Sequence, residues 1–199
     1  LLMWIKIFFI IKELKKEGNI NGIFSLWCTE CTLVAKYISK FFGLEQRCWI
    51  LGQDARATNV YIKYIRPKAA MLIALSDFIA DEFYKNHGIK PGFIIPLGID
   101  ISMFGNTVEK DIDIIGVGSL SILKQYDVFV KIIANLRKDL PGIKAMLCGD
   151  GEDRNRIEAI IKDFNLGEHI ILNGNVSHAT ALAMMQRSKI LLHPSSYEG

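Results

Sequence analysis

The sequence predicts an α/β protein, and three observations lead to that class. Short apolar runs of strand length alternate with stretches of helical periodicity, as in parallel sheets whose strands are joined by crossover helices. Turn-forming residues at positions 96–100 and 105–107 interrupt this alternation, which then restarts. The length of 199 residues, half of them hydrophobic, allows one large domain or two small ones. We therefore expect two Rossmann-like units, residues 1–106 and 107–199, with a linker in residues 97–106.

The elements of the first half follow from periodicity and from signals at their ends. An apolar helix extends to about Lys16 and stops before Gly18, a residue suited to a left-handed helix end. Ser76 precedes a later helix as its N-cap, because its hydroxyl can accept a hydrogen bond from a free helix amide. Strands are predicted near residues 22–25, 47–51, 71–74 and 92–95, and the other helices at residues 31–41, 57–65 and 77–86.

The second half repeats the same alternation. Strands are predicted at residues 112–117, 144–148, 170–172 and 190–193, and helices at residues 125–138, 153–164 and 178–186. In doubly wound sheets a ligand binds outside the carboxyl ends of the strands. The loops that follow the strands are therefore the segments in which we look for chemistry.

Composition argues against several classes of protein. The net charge of +3, with no basic run interleaved with aromatic residues, argues against a nucleic-acid partner. The apolar residues 1–11 include Lys6 and fall short of the roughly 20 residues that span a bilayer, so we expect a buried helix. Cys28 and Cys31 have C-x-x-C spacing, but small core residues are favoured over a zinc or redox pair. Reduced thiols indicate a cytoplasmic protein, and the basic first half leaves room for peripheral contact with the inner face of the membrane.

Three loops of the second half carry residues suited to binding an anion. Gly118, Gly149 and Gly151 would let backbone amides approach a ligand, beside helix starts whose dipoles are positive. Lys124 adds a mobile positive charge for a diphosphate, and Glu198 could accept hydrogen bonds from sugar hydroxyls. Turn chemistry alone explains such glycines about as well. The spacing matches neither the G-x-G-x-x-G dinucleotide pattern nor a P-loop.

Acidic residues at two places have competing interpretations. Asp111 and Asp113 form a D-x-D pattern, which is also found in metal and nucleotide-sugar sites. They precede their strand, however, and belong at the opposite edge of the sheet, so we expect no metal there. Asp54 follows a strand together with Gly52, where it either meets an acceptor hydroxyl or caps a turn. Arg56, Asn59 and Lys63 are close enough in the sequence to join it.

These loops, taken in order, resemble the retaining glycosyltransferases of family 4, which have the two-domain GT-B fold. The resemblance covers nearly the whole chain, and an ordered series of motifs is more specific than any one of them. In the first half the matching segments are residues 52–54, residues 74–76, and residues 95–100 with Phe104. In the second half they are residues 117–120, Lys124 to Asp127, residues 149–151 with Arg154 and Glu158, Gly174 with Val176, and residues 194–199.

The resemblance implies transfer of a sugar, with retention, from a nucleotide-diphosphate sugar on the second domain to an acceptor on the first. The donor would be a UDP-sugar or GDP-sugar, the acceptor a glycan or a lipid-linked molecule, and no metal or other cofactor is implied. The pathway would be synthesis of a cell-surface polysaccharide, lipopolysaccharide or glycolipid. Catalytic roles fall on Asp54, Lys124 and Glu198. The implied donor-binding residues are Gly118, Ser119, Lys124, Gly149, Asp150, Gly151, Arg154, Ser195, Glu198 and Gly199, and the acceptor-side residues are Gly52, Asp54 and Arg56.

Departures from the family pattern keep other functions open. Ser119 stands where the family usually has arginine, and Leu51 stands where many members have histidine. The second carboxylate of the family's glutamate pair would fall beyond Gly199, and the first strand of the acceptor domain before Leu1. We therefore expect both domains to be incomplete and the fragment to have little activity alone. The alternatives are a degenerate, non-catalytic nucleotide-sugar-binding module and a nucleotide-sugar epimerase of GT-B architecture.

Overall fold

The computed structural model describes residues 2–18, 20–103 and 108–198. The chain divides after Ile99 into two compact units. Each unit contains a four-stranded sheet whose neighbouring strands are all parallel. The predicted α/β class with two parallel sheets is therefore confirmed. Phe104 and Gly199, which the resemblance singled out, lie outside the described residues, as do the last positions of the predicted linker.

The first unit alternates helices and strands, and its strands stand in the sheet in sequential order, β1-β2-β3-β4. Its elements are α1 (Leu2–Lys16), β1 (Gly22–Leu26), α2 (Glu30–Phe42), β2 (Glu45–Ile50), α3 (Ile62–Ile65), β3 (Leu72–Ala74), α4 (Asp77–His87) and β4 (Phe93–Ile94).

Helix ends in this unit follow the chemistry of their residues. The Ser76 hydroxyl accepts a hydrogen bond from the Ile79 N–H at 3.3 Å, so it caps α4 as predicted. Gly43 and Gly88 end α2 and α4 with φ angles of 63° and 70°, a left-handed conformation that glycine adopts without a Cβ clash. Phe83 of α4 is fully buried, so this helix is anchored in the core of the unit.

The first helix differs from the prediction that it is buried. Trp4 donates its indole N–H to Glu30 at 3.1 Å, and Phe8 packs against two phenylalanines at the end of α2. Met3, Phe9 and Ile10 are nevertheless exposed. The prediction was wrong because one face of α1 contacts α2, while no described element covers the other. No helix within the described ranges is both long and apolar enough to cross a membrane.

The helix predicted at residues 57–65 is mostly replaced by turns. Only α3 is α-helical there, with a 3-10 turn at Gln53–Ala55 before it. The Asn59 side chain accepts from the Tyr61 N–H at 3.1 Å and donates to the carbonyls of Cys28 and Asp54, both at 2.8 Å. These bonds form a local Asn turn that competes with helical hydrogen bonding. The helical periodicity of this segment was therefore overridden by a polar side chain.

The second unit has the strand order β7-β6-β5-β8. The order reverses at β5, which lies between β6 and β8, so the carboxyl end of β5 is a topological switch point of the kind where α/β sheets bind ligands. Fully buried Phe129, Ile133 and Ile157 belong to the core of this unit. Its elements are β5 (Ile112–Val117), α5 (Tyr126–Leu136), β6 (Ala145–Cys148), α6 (Arg154–Asp163), β7 (Ile170–Gly174), α7 (His178–Gln186) and β8 (Ser188–Leu191).

Candidate functional site

Two predicted site residues meet at the carboxyl edge of the second sheet. Lys124 lies in a short 3-10 turn after β5, and Glu198 lies in the segment after β8. The Lys124 ammonium is 2.5 Å from Glu198 Oε1. The two segments are also joined by Ser196, whose backbone N–H and hydroxyl both donate to the Leu123 carbonyl, at 3.0 and 3.2 Å. The fold therefore holds a lysine and a carboxylate together at the switch point.

His193 completes this cluster, and sequence reasoning missed it. The strand predicted at residues 190–193 ends at Leu191, so His193 lies in the following segment. Its Nε2 is 2.7 Å from Glu198 Oε1 and 3.1 Å from the Ser195 hydroxyl. The signal in the sequence was a histidine two positions before Ser195, at the start of the loop that carries Glu198.

The contacts around Glu198 keep its carboxylate charged. Burial acts to raise its pKa, but hydrogen bonds from Lys124, Ser195 and His193 outweigh burial and lower the pKa to about 2. Glu198 is therefore an ionised hydrogen-bond acceptor throughout the neutral range, and it does not serve as a general acid there. Its side chain is 45% exposed, which leaves it open to a ligand.

The three glycines of the predicted anion site pack two loops against each other. A Cβ at Gly149 would overlap the Gly118 carbonyl, and a Cβ at Gly151 would overlap the Leu120 carbonyl. The N–H groups of Gly118 and Gly149 donate to the carbonyls of Cys148 and Gly174, and that of Gly151 donates to the Asp150 carboxylate. This corrects the expectation that these amides are available to a ligand. Their role in donor binding otherwise stays a prediction.

Within the described ranges Ser119 has a free backbone amide, whereas the amides of those three glycines are already hydrogen-bonded. Its N–H has no hydrogen-bond partner among the described residues, and the residue is exposed. A free amide beside Lys124 at the carboxyl edge suits a negatively charged oxygen. The Ser119 amide is therefore available to donate to an anion.

Tyr126 lies beneath this loop with an unsatisfied hydroxyl. The side chain is fully buried at the start of α5, and its oxygen has no partner within the described part of the chain. A Cβ on Gly118 would lie 2.9 Å from that oxygen, so Gly118 also makes room for the tyrosine. Burial, with smaller contributions from Glu198 and Cys148, raises the pKa of Tyr126 to about 12.

Arg154 and Asp150 form a second charged group in the loop after β6. Arg154 donates to Glu158 at 2.8 Å and lies 3.5 Å from the Asp150 carboxylate. Arg156, which sequence reasoning also missed, holds both carboxylate oxygens of Asp153 at 2.6 Å. These ion pairs fix the start of α6.

In the first unit, Asp54 is turned into the protein. Its carboxylate accepts hydrogen bonds from the N–H groups of Cys28, Leu51 and Gly52, at 2.7, 3.1 and 2.9 Å, and the residue is 2% exposed. Burial raises the pKa of Asp54, and the three amides oppose that shift. Of the two interpretations that the sequence left open, these contacts are those of a turn cap. A direct catalytic role for Asp54 stays a prediction.

Arg56 lies at the end of the same turn. Its backbone carbonyl is 3.1 Å from the Nε2 of His87, at the end of α4. Asp54 and Arg56 therefore both link the loop after β2 to neighbouring segments of the first unit.

The residues of the D-x-D and C-x-x-C patterns make contacts within the fold. Asp111 is paired with Arg187, and Asp113 lies 2.7 Å from Lys189, so each carboxylate holds β5 to the segment around β8. Cys28 is fully buried, whereas Cys31 is exposed. Cys48 is buried as well, and its sulfur accepts a hydrogen bond from Thr32 at 3.1 Å.

Comparison with known proteins places this chain in a family. The sequence model described as "Glycosyl transferases group 1" matches residues 100–199. The N-acetylgalactosamine-N,N'-diacetylbacillosaminyl-diphospho-undecaprenol 4-alpha-N-acetylgalactosaminyltransferase of Campylobacter jejuni is 28% identical over 120 residues, 57% of this chain and 32% of that protein. The 2-deoxystreptamine N-acetyl-D-glucosaminyltransferase of Niallia circulans is 27% identical over 82 residues, 41% of this chain and 21% of that protein. The chain thus spans about a third or less of these relatives.

Solved structures show the same fold. A glycosyltransferase from Rickettsia africae has a TM-score of 0.72 and 18% identity, and the match covers 94% of this chain and 55% of that one. The pneumococcal O-GlcNAc transferase GtfA, in complex with UDP and GlcNAc, has a TM-score of 0.67 and 17% identity, with coverage of 94% and 40%. The two parallel sheets match GT-B glycosyltransferase structures. With its second unit matched by the family's own sequence model, the chain belongs to the glycosyl transferases group 1 family.

Proposed function

We propose that the protein transfers a sugar from a nucleotide-diphosphate sugar to a hydroxyl of a glycan or lipid-linked acceptor, with retention of configuration. The observation that carries the proposal is the Lys124–Glu198 pair at the switch point of the second unit. The names of similar proteins support it. The Campylobacter relative is named for a diphospho-undecaprenol acceptor, and the structure of GtfA contains UDP and GlcNAc. Synthesis of a polysaccharide, lipopolysaccharide or glycolipid is the proposed pathway.

In this proposal Lys124 contacts the donor diphosphate. The bond between the anomeric carbon and the diphosphate oxygen breaks, and the acceptor oxygen bonds to that carbon in its place. Negative charge develops on the departing phosphate, which takes up the proton of the acceptor hydroxyl. A lysine held in place by Glu198 stabilises that charge without having to reorient, and the Ser119 amide adds a neutral donor. We propose no metal cofactor, because lysine, amide and helix ends supply positive charge at this edge.

Glu198 has a complementary role. Its carboxylate stays ionised because its pKa is about 2, so it accepts hydrogen bonds from hydroxyls of the donor sugar. His193 contacts the carboxylate from the protein side, and the Ser195 hydroxyl contacts His193 in turn. Lys124 thereby contacts the phosphate end of the donor, and Glu198 contacts its sugar end.

The test is a comparison of Lys124→Met with a matched control. Lys131→Met removes an equivalent charge from an exposed ion pair with Asp127 on α5. Transfer from labelled UDP-sugars and GDP-sugars to a panel of glycan and lipid-linked acceptors is measured for both variants, each made in the longest natural polypeptide that contains this sequence. We expect Lys124→Met to lose at least about a hundredfold in transfer rate, as when a charge-stabilising donor is removed, and Lys131→Met to keep it.

UDP binding without turnover in the wild type would support the degenerate binding module, and isomerised donor without acceptor would support an epimerase.

We also propose peripheral contact with an anionic membrane surface at the cytoplasmic face. The support is the exposed apolar face of α1, with Met3, Phe9 and Ile10, together with the lysines of the same helix. Co-sedimentation with phosphatidylglycerol vesicles should fall when Phe9 and Ile10 are replaced by serine. Equal sedimentation of the variant would contradict the proposal.

A further inference from the structure

A cleft of about 250 Å³ opens at the carboxyl edge of the first sheet, between the segments that follow β1 and β2. Trp27 and Tyr61 provide aromatic surface in it, and Thr29, Gln53 and Thr58 provide polar groups. The site described in the second unit does not include this cleft. Asp54 forms part of its wall, and the hydrogen bond from the Cys28 amide to Asp54 joins the two segments that line it.

Trp27 has a backbone conformation that is unfavourable for its side chain. Its φ angle is 70°, in the left-handed region that bulky residues rarely adopt. Three contacts hold it there: the Trp27 N–H donates to the Trp49 carbonyl at 3.0 Å, Thr32 donates to the Trp27 carbonyl at 2.7 Å, and the next amide, of Cys28, donates to Asp54. Strain of this kind persists only where the surroundings enforce it, and it is concentrated at functional sites.

The Trp27 side chain lines the cleft and is partly open to solvent. Trp27 is 41% exposed, and its ring N–H has no partner within the described ranges. Trp4 and Trp49, by contrast, donate their indole N–H groups to Glu30 and to the Ile95 carbonyl. The side chains of Thr29, Gln53 and Thr58 likewise make no hydrogen bond to another described residue. The cleft therefore combines an aromatic face with donors and acceptors that the protein itself does not use.

This chemistry selects an uncharged ligand with one apolar face and several hydroxyls. A pyranose ring stacks its C–H face on an aromatic side chain, and its hydroxyls bond to amides and hydroxyls around it. The described residues that line the cleft include no lysine, arginine or histidine, so its side chains offer no positive charge to a phosphate. We propose that the cleft binds one sugar residue of a glycan acceptor, stacked on Trp27. This inference rests on the proposed function, because it places the acceptor's sugar on the first unit.

The test uses Trp27→Gly, which removes the ring and accepts the left-handed φ angle. Tyr84→Ala is the matched control, since Tyr84 is an exposed aromatic residue on α4, outside the cleft. Binding of the methyl glycosides of glucose, galactose, N-acetylglucosamine and N-acetylgalactosamine is measured by saturation-transfer NMR up to about 50 mM, a range that captures weak binding. Thermal unfolding and UDP binding are measured on the same samples.

We expect at least one glycoside to bind the wild type and the control, and Trp27→Gly to bind it at least about tenfold more weakly. Thermal unfolding shows whether Trp27→Gly is folded; relief of backbone strain is opposed by loss of the buried part of the ring, so glycoside binding is compared only at temperatures below the unfolding transition. Equal glycoside binding by Trp27→Gly and wild type, or no binding of any glycoside, overturns the inference. If the wild-type protein nevertheless binds UDP, the proposed function stands without this subsite. A wild-type protein that neither binds UDP nor transfers sugar refutes the proposed function itself.

Discussion

Replacing Asp54 distinguishes a structural carboxylate from a catalytic one. Asp54→Ala removes the acceptor of three backbone N–H groups, those of Cys28, Leu51 and Gly52. Each buried donor without a partner costs about 1–3 kcal/mol. Water can reach the part-buried Leu51 amide, so we expect a total loss of about 3–5 kcal/mol in the free energy of unfolding. Against a typical total of about 5–15 kcal/mol, this is a severe destabilisation.

Asp54→Asn should be milder, because its remaining oxygen can still accept from Leu51 and Gly52. Only the bond to Cys28 is lost, for about 1–3 kcal/mol. Urea unfolding followed by tryptophan fluorescence measures both variants, since Trp27 and Trp49 lie in this unit. The control is Asp81→Asn, an exposed residue of α4, which should change stability by less than about 0.5 kcal/mol. An Asp54→Ala protein as stable as the wild type but without transfer activity would refute the structural role and favour direct catalysis.

Three further predictions concern the second unit. Gly149→Ala should lower the free energy of unfolding by about 3 kcal/mol in urea titration, because the added Cβ overlaps the Gly118 carbonyl and the φ angle is 141°. The control is Gly142→Ala, where a Cβ meets open space, and an equal loss in both variants would contradict the packing argument. Tyr126→Phe should raise the melting temperature or leave it unchanged, because it removes a buried hydroxyl without a described partner; a clear fall in calorimetry would reveal a bound partner. In carbon-13 NMR titration, the Glu198 carboxyl should titrate near pH 2 and shift toward 4.5 in Lys124→Met. Since the folded pKa lies below the unfolded one, this group's contribution to stability is present above about pH 4.5 and is lost as the pH falls through 2; a wild-type midpoint near 4.5 would contradict the ion-pair contacts.

Local sequence determined most of the architecture. The predicted strand at Ile112–Val117 and the helix at His178–Gln186 match the structure at both ends. They do so because hydrophobic periodicity reports which face is buried. Ser76 and Gly88 likewise mark their helix ends, because capping depends on the residue itself and on its immediate neighbours along the chain. The approach of Lys124 to Glu198 followed from parallel topology, which brings the ends of β5 and β8 to one edge.

Long-range contacts decided the rest. Asn59 breaks a periodic helix by bonding to Cys28, which is 31 positions away, and no local pattern contains that partner. Asp54 turns inward because the Cys28 amide reaches it from another strand's loop. His193 joins Glu198 only because β8 ends at Leu191. Periodicity and capping are properties of neighbouring residues and can be predicted from the sequence, whereas the partners of polar side chains are set when distant loops meet, and only the tertiary structure shows them.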